Sequence, residues 1–335
     1  MFALSLALSA TRVAADPIPV GPGAPASSPG ELARPAADEA PLAMPTSTYH
    51  PTAAWIALGS AYAAFVGWMY VAWYQGHRDL AGGFKWGGDG WLGPETYAGG
   101  ADKFGHAWST MALARAGTEL LHQWGGYGKT KASLISTSLA LALFIGVEVR
   151  DGFTYEFSFS DATGDALGAL AALALSNWPR LDELFDYRVE YFPSRMFRRV
   201  VAGDAPCPSG HCSRWNIAED YSGQTYLLAF HLGGIHALRD ARLGGWTRFV
   251  DVALGFRSRD YKPPPYPASA ADPRQEVFLG VTLNAQGVFN RLLERHPALR
   301  KVTHGTFEVF NVPYTTLPLL EWENRPTGAV MPGGA

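Results

Sequence analysis

At 335 residues the chain is long enough for one large domain or two medium ones, and 47% of it is hydrophobic while only 17% is charged, against roughly 25% charged in soluble domains. That balance points to a membrane or envelope protein. A formal net charge of −3 offers no basic excess, so no nucleic-acid partner is expected. Eleven Trp, fourteen Tyr and eighteen Phe are of the type that gathers where protein meets a bilayer interface.

The apolar run Phe2 to Ala10, followed by Val13-Ala14-Ala15, predicts a signal peptide over residues 1–15. A basic stretch before the run is missing, since Arg12 lies on its far side, so an upstream start and an uncleaved anchor are the alternatives. No Cys stands near the cleavage point, and this stretch encodes no lipid-anchored N-terminus. Residues 16–51 are rich in Pro, Ala, Gly and Ser and predict a disordered tether.

Thr52 to Tyr74 is uncharged, carries Trp55, Tyr62, Phe65, Trp68, Tyr70 and Trp73, and is long enough to span a bilayer at about 20 residues. A fully buried bundle helix fits the same residues, because Gly59, Gly67 and the alanines suit close packing. Residues 75–100, rich in Gly and Trp, read as an ordered loop or cap.

A second helix is predicted from Asp102 to Trp124, with Asp102 at the favourable positive end of its dipole and Lys103 and His106 sharing a face. Gly125-Gly126 breaks it. The third runs from Thr130 to Arg150 and brings Glu148 and Asp151 to a C-terminus, where carboxylates are disfavoured; Lys103 or His106 is the expected compensating partner. After the aromatic connection Phe153 to Phe159, Ser158 or Ser160 is placed to cap a fourth helix. That helix carries Asp161 and Asp165 one turn apart, is thinned by Gly164 and Gly168 for close approach of a neighbour, and stops at Pro179. Ionisable residues in such apolar company are expected to meet as one internal cluster of Asp102, Lys103, His106, Glu148, Asp151, Asp161 and Asp165.

Four spanning helices would place Lys129, Lys131, Arg180, Arg188, Arg195, Arg198 and Arg199 on the side of the N-terminal tail. The positive-inside rule puts that side in the cytoplasm, whereas a cleaved signal and a disulfide put it outside. The cysteines, Cys207 and Cys212, occur in Cys-Pro-Ser-Gly-His-Cys. They allow a disulfide loop, half of a metal site with His211, or free thiols; the export signal favours the disulfide, and no second Cys pair exists for zinc.

Beyond Trp215 the apolar period changes from helix to strand. Alternation marks Thr225 to Leu232, Phe249 to Phe256 and Val277 to Leu283, and a fourth candidate surrounds Phe307, Val309 and Asn311. The expected fold class is α+β: an N-terminal bundle of about four apolar helices over 52–200, then a strand-rich region over 201–335. Its antiparallel sheet of about four strands would pack one apolar face on the bundle or on lipid. Four strands are too few to close a membrane barrel, which needs about eight.

The order Phe84, Asp89, Trp91, Asp102-Lys103-Phe104-Gly105-His106, Glu148, Asp151-Gly152, Phe157-Ser158, Asp161, Asp165 and Gly168-Ala169 resembles the YfiM-type predicted periplasmic lipoprotein family, a domain of unknown function. Asp220-Tyr221-Ser222-Gly223-Gln224-Thr225-Tyr226 resembles the strand-rich continuation of its longer members. The helical layout is also similar to VanZ-like membrane proteins, associated with glycopeptide-antibiotic resistance, although Asp165 stands where that pattern usually has Asn. The resemblance implies an envelope protein facing the periplasm, on the inner or the outer membrane.

Two functions follow as expectations. In the first, the cluster is structural or ligand-binding in a membrane-associated envelope protein whose partner is membrane lipid or another envelope component. In the second, an envelope hydrolase or transferase acts on a lipid-linked or wall substrate. His106 would then be general base, Glu148 and Asp161 acid/base carboxylates, and Lys103 an electrostatic stabiliser. No cofactor is required, but His106, Glu148, Asp161 and Asp165 form a conceivable divalent-metal set.

Overall fold

The computed structural model describes residues 48–75, 83–88, 90–205, 216–241, 244–261 and 273–326. The expected signal peptide, all but the last residues of the tether, Asp89, Cys207, His211 and Cys212 lie outside the described residues.

Four helices form the N-terminal bundle. Helix α1 (Pro51–Met69) ends in a π turn, Tyr70–Tyr74; α2 (Ala101–Glu119) ends in another, Leu120–Trp124; α3 is Lys129–Thr154 and α4 is Phe159–Asn177. Helix α2 packs on both α3 and α4, which also pack on each other. His50 N–H donates to the Trp124 carbonyl at 2.9 Å and Tyr74 Oη to Asp151 Oδ1 at 2.8 Å. Those two bonds set the start of α1 beside the end of α2, and its end beside the end of α3.

The polarity of α4, and of part of α3, is inverted. Along α4 the buried positions are Ser160, Asp161, Gly164, Asp165, Gly168, Ala169, Ala172 and Ser176, while Leu167 and Leu170 are 58% and 62% exposed. Helix α3 likewise buries Ser133, Ser136, Thr137 and Glu148 and exposes Leu134, Leu139 and Val149. Small inward residues permit close helix approach.

A two-residue strand β1 (Trp86–Gly87) pairs in parallel with β2 (Phe157–Ser158). This closes one end of the bundle with aromatic rings: Phe84 packs edge-on to Trp86 and Phe153, and Trp86 stacks on Phe159. Residues 83–100 are thus partly a cap. They lead into α2 through three consecutive positive-φ residues, Ala98, Gly99 and Gly100.

After α5 (Pro179–Leu184) comes β3 (Phe185–Tyr191), followed by α6 (Arg195–Ala202), β4 (Gln224–His231), α7 (His236–Arg239), β5 (Val250–Arg259), β6 (Arg274–Leu283), α8 (Ala285–Leu292), α9 (Pro297–Val309) and β7 (Leu317–Asn324). The strands form one antiparallel sheet in the order β3-β4-β5-β6-β7. Three of the expected strands appear as β4, β5 and β6. The fourth candidate does not: Phe307 and Val309 belong to α9, where Pro297 starts the helix and Phe307 stacks on Phe289 of α8. Only Phe310 makes a single bridge, to Val189.

One face of the sheet is apolar, as expected. At one end Val189, Tyr226 and Phe256 pack with Ala98, Ala101, Phe104 and Trp108 and seat the sheet on α2. Farther along the same face, Leu228, Leu254, Leu279 and Leu320 lie in register across four strands and are all exposed. The opposite face is buried, with Leu227, Ala253 and Phe278 beside Arg188 and Asp251.

Candidate functional site

The helix starts and ends described above deliver the charged groups to one place. Helix α4 begins where Ser158 Oγ accepts from the Asp161 N–H at 3.3 Å, and the Ser158 N–H itself donates to Glu148 Oε2 at 3.2 Å. The end of α3 is thereby tied to the cap of α4. Asp161 then falls in the first turn of α4 and Asp102 in the first turn of α2, where each carboxylate meets the positive end of a helix dipole.

Lys103 Nζ lies between them, 2.7 Å from Asp102 Oδ2 and 3.0 Å from Asp161 Oδ1, and all three side chains are largely buried. One turn on, His106 Nδ1 is 3.1 Å from Asp165 Oδ1 and 3.7 Å from Glu148 Oε1. Thr110 Oγ1 donates to the same Asp165 oxygen at 2.8 Å. The Asp165 side chain is fully buried, and its Oδ2 has no hydrogen-bond partner among the described residues.

Asp102, Lys103, His106, Glu148, Asp161 and Asp165 therefore stand together. Within the group the pairing differs in part from expectation: His106 faces Glu148, while Lys103 pairs with Asp102 and Asp161. Asp151 sits at the margin, held by the Tyr74 hydroxyl. Beyond it the Trp73 indole N–H donates to Asn216 Oδ1 at 2.9 Å, and the Asn216 amide to Glu219 at 2.6 Å. Burial pushes Glu219 up to about 8, against the opposing hydrogen bond from Asn216. Sequence reasoning missed Tyr74, Thr110, Asn216 and Glu219; Thr110, one turn beyond His106, was the one placed by helical spacing to be found.

A second buried cluster lies under the sheet and was also missed. Arg188 donates to Asp186 Oδ2 at 2.5 Å and to Asp251 Oδ2 at 2.9 Å. His231 places Nε2 3.0 Å from Asp186 and Nδ1 2.9 Å from Asp251. Gln286 and Asn284 add amide donors to the two carboxylates. Burial alone would lower the pKa of His231, but its hydrogen bonds to Asp186 and Asp251 outweigh that and push it up to about 9. The imidazolium and the guanidinium thus balance two carboxylates.

A family model described as predicted periplasmic lipoprotein (DUF2279) matches residues 88–177. That span holds all the charged residues of the helical cluster and stops before the sheet. No curated protein and no solved structure matches the chain. The family match supports an envelope protein of unknown function that faces the periplasm.

Proposed function

We propose that this is an integral membrane protein of the bacterial cell envelope, with α1–α4 embedded in the bilayer and the internal charged cluster serving as a binding site that also braces the helices. The observation that carries this reading is the inverted polarity of α4: its two Asp and two Ser are buried and its Leu167 and Leu170 are exposed. In water that arrangement wastes the hydrophobic effect; in lipid it is the expected one, because charged groups turn inward and apolar ones outward.

Dimensions agree. The 19 residues of α4 rise about 28 Å at 1.5 Å each, close to the roughly 30 Å hydrocarbon core. Exposed aromatics mark both ends, with Trp86 and Phe159 at one and Trp55 and Trp178 at the other, as in the aromatic belts of membrane proteins. Both α1 with its π turn and α3 are long and apolar enough to cross a membrane. The exposed leucine row of the sheet continues the apolar exterior. A binding site is favoured over a reaction centre because Lys103 is held between two carboxylates and Glu148 Oε2 is engaged by the cap of α4.

Alkaline carbonate extraction of membranes from expressing cells tests the proposal. Wild-type protein should stay with the membrane and need detergent for release. Leu170→Arg should reduce the inserted fraction sharply, since Arg at a helix centre costs about 2.5–3.5 kcal/mol on insertion scales. Release of the wild type by carbonate as a monodisperse, detergent-free protein would refute it.

A further inference from the structure

We infer that His106, Glu148 and Asp165 bind a single first-row divalent metal ion. One donor atom from each lies within 4.8 Å of the others. Bonds of about 2.1 Å put neighbouring ligand atoms roughly 3.0–3.5 Å apart. The observed 3.1 Å from His106 Nδ1 to Asp165 Oδ1 and 3.7 Å to Glu148 Oε1 approach that spacing without movement of a helix.

Two further observations point to a cation. Asp165 is wholly buried, yet its Oδ2 has no hydrogen-bond partner among the described residues, and an unsatisfied buried carboxylate oxygen is expensive. Charge is also out of balance. Among the described residues Glu148 and Asp165 share His106 as their ion-pair partner, so the two carboxylates meet at most one positive group even with a protonated imidazole. The cluster beneath the sheet supplies the contrast, with Asp186 and Asp251 matched by Arg188 and His231. One proton on His106 Nδ1 can serve one carboxylate well; a dication at that point serves both.

The donor set indicates the kind of ion. An imidazole nitrogen with two carboxylates suits manganese, iron or zinc, whereas calcium and magnesium prefer oxygen alone. Outer partners are in place to orient the ligands, as metal sites require: Thr110 on Asp165, and the Ser158 N–H on Glu148. The inference rests on the reading of this cluster as a binding site and is independent of the bilayer; extraction tests the bilayer and metal binding tests the cluster.

The full chain, purified in detergent and stripped with chelator, is titrated with MnCl2 and followed by electron paramagnetic resonance. The expected result is about one Mn2+ per chain with hyperfine coupling to an imidazole nitrogen, displaced by Zn2+ in keeping with the Irving–Williams order. Asp165→Asn and Glu148→Gln should each weaken binding by at least about tenfold. Glu119→Gln, which removes the partner of Lys129 at the far end of α2, should leave it unchanged. If the ligand variants fail to fold, the wild-type spectrum decides alone. No stoichiometric Mn2+, or bound Mn2+ without nitrogen coupling, overturns the inference; so does a folded Asp165→Asn that binds as tightly as the wild type.

Discussion

Replacing Gly168 by Ala should open the seam between α2 and α4 and with it the polar cluster. A Cβ at Gly168 would stand 2.8 Å from the carbonyl carbon of Ala107 and closer still to its oxygen. These are backbone atoms of a packed helix and cannot rotate away. Carbon atoms in contact prefer about 3.5 Å, so the helices must part by at least about 0.7 Å, and by more where the oxygen is the limiting contact. The same displacement would stretch the 3.1 Å contact of His106 with Asp165 to about 3.8 Å, beyond hydrogen-bond range. Overpacking costs about 1–3 kcal/mol, and loss of a hydrogen bond to a charged group about 1.5–3 kcal/mol more. Gly146→Ala provides the opposite case, because a Cβ there meets nothing within 4 Å; helix propensity alone favours Ala by up to about 1 kcal/mol. Apparent melting midpoints of the detergent-solubilised full chain compare the two. Gly168→Ala should melt clearly lower than wild type and Gly146→Ala at or above it. A Gly168→Ala protein that melts like the wild type would show that the α2–α4 approach is not what holds the cluster.

Lys103→Met should destabilise by about 3–5 kcal/mol, because it removes the buried cation that lies between Asp102 and Asp161; adding Asp161→Asn should restore part of the loss in chemical denaturation. The sheet cluster predicts a pH dependence of its own. Since His231 has its pKa raised to about 9 in the fold, its stabilisation is complete below the unfolded value of about 6.5 and disappears as pH rises through about 9. At most about 3 kcal/mol is involved, and melting curves between those limits should flatten in His231→Gln.

The helical cluster was legible because two signals coincide in α2, α3 and α4: ionisable residues recur at helical spacing, and they do so inside runs too apolar to be solvated faces. Capping was readable to one of two serines, Ser158 or Ser160, of which the structure uses Ser158, and thinning by Gly164 and Gly168 was readable directly, since it depends on one residue type at each position. Which carboxylate Lys103 would meet was not readable, because spacing fixes a face of one helix and says nothing of the rotation of its neighbour. Strand β3 carried its own signal: Phe185, Tyr187 and Val189 alternate with Asp186, Arg188 and Glu190, a period of two that the Pro179 stop left unassigned. Charged members of such an alternation ordinarily mark a solvated face. Here the charged face turns inward, and Asp186, Arg188, His231 and Asp251 meet across three strands. Strand β7 hides its alternation behind the register shift opposite Leu279 and Gly280.

The low charge of the composition and the burial of so many charged side chains have one cause. A soluble protein spends its charged residues on the surface, so a chain lean in them should bury fewer still. This chain does the reverse: Asp102, Lys103, Arg115, Glu148, Asp165, Asp186, Arg188 and Asp251 are all at most 5% exposed, while leucines of α3, α4 and the sheet face outward. The apolar core that α2, α3 and α4 share centres on Met111, Ala114, Ala140 and Ala172, mostly small side chains. Close packing at Gly164 and Gly168 and ion pairs across the seams add to it, and in the proposed bilayer setting they carry more of the assembly, because the surrounding lipid is as apolar as leucine. On this account the helical cluster is more than a candidate site. On the proposed reading it is also a directional force assembling α2, α3 and α4, so small changes in the spacing of these helices should be felt in stability and in metal affinity together.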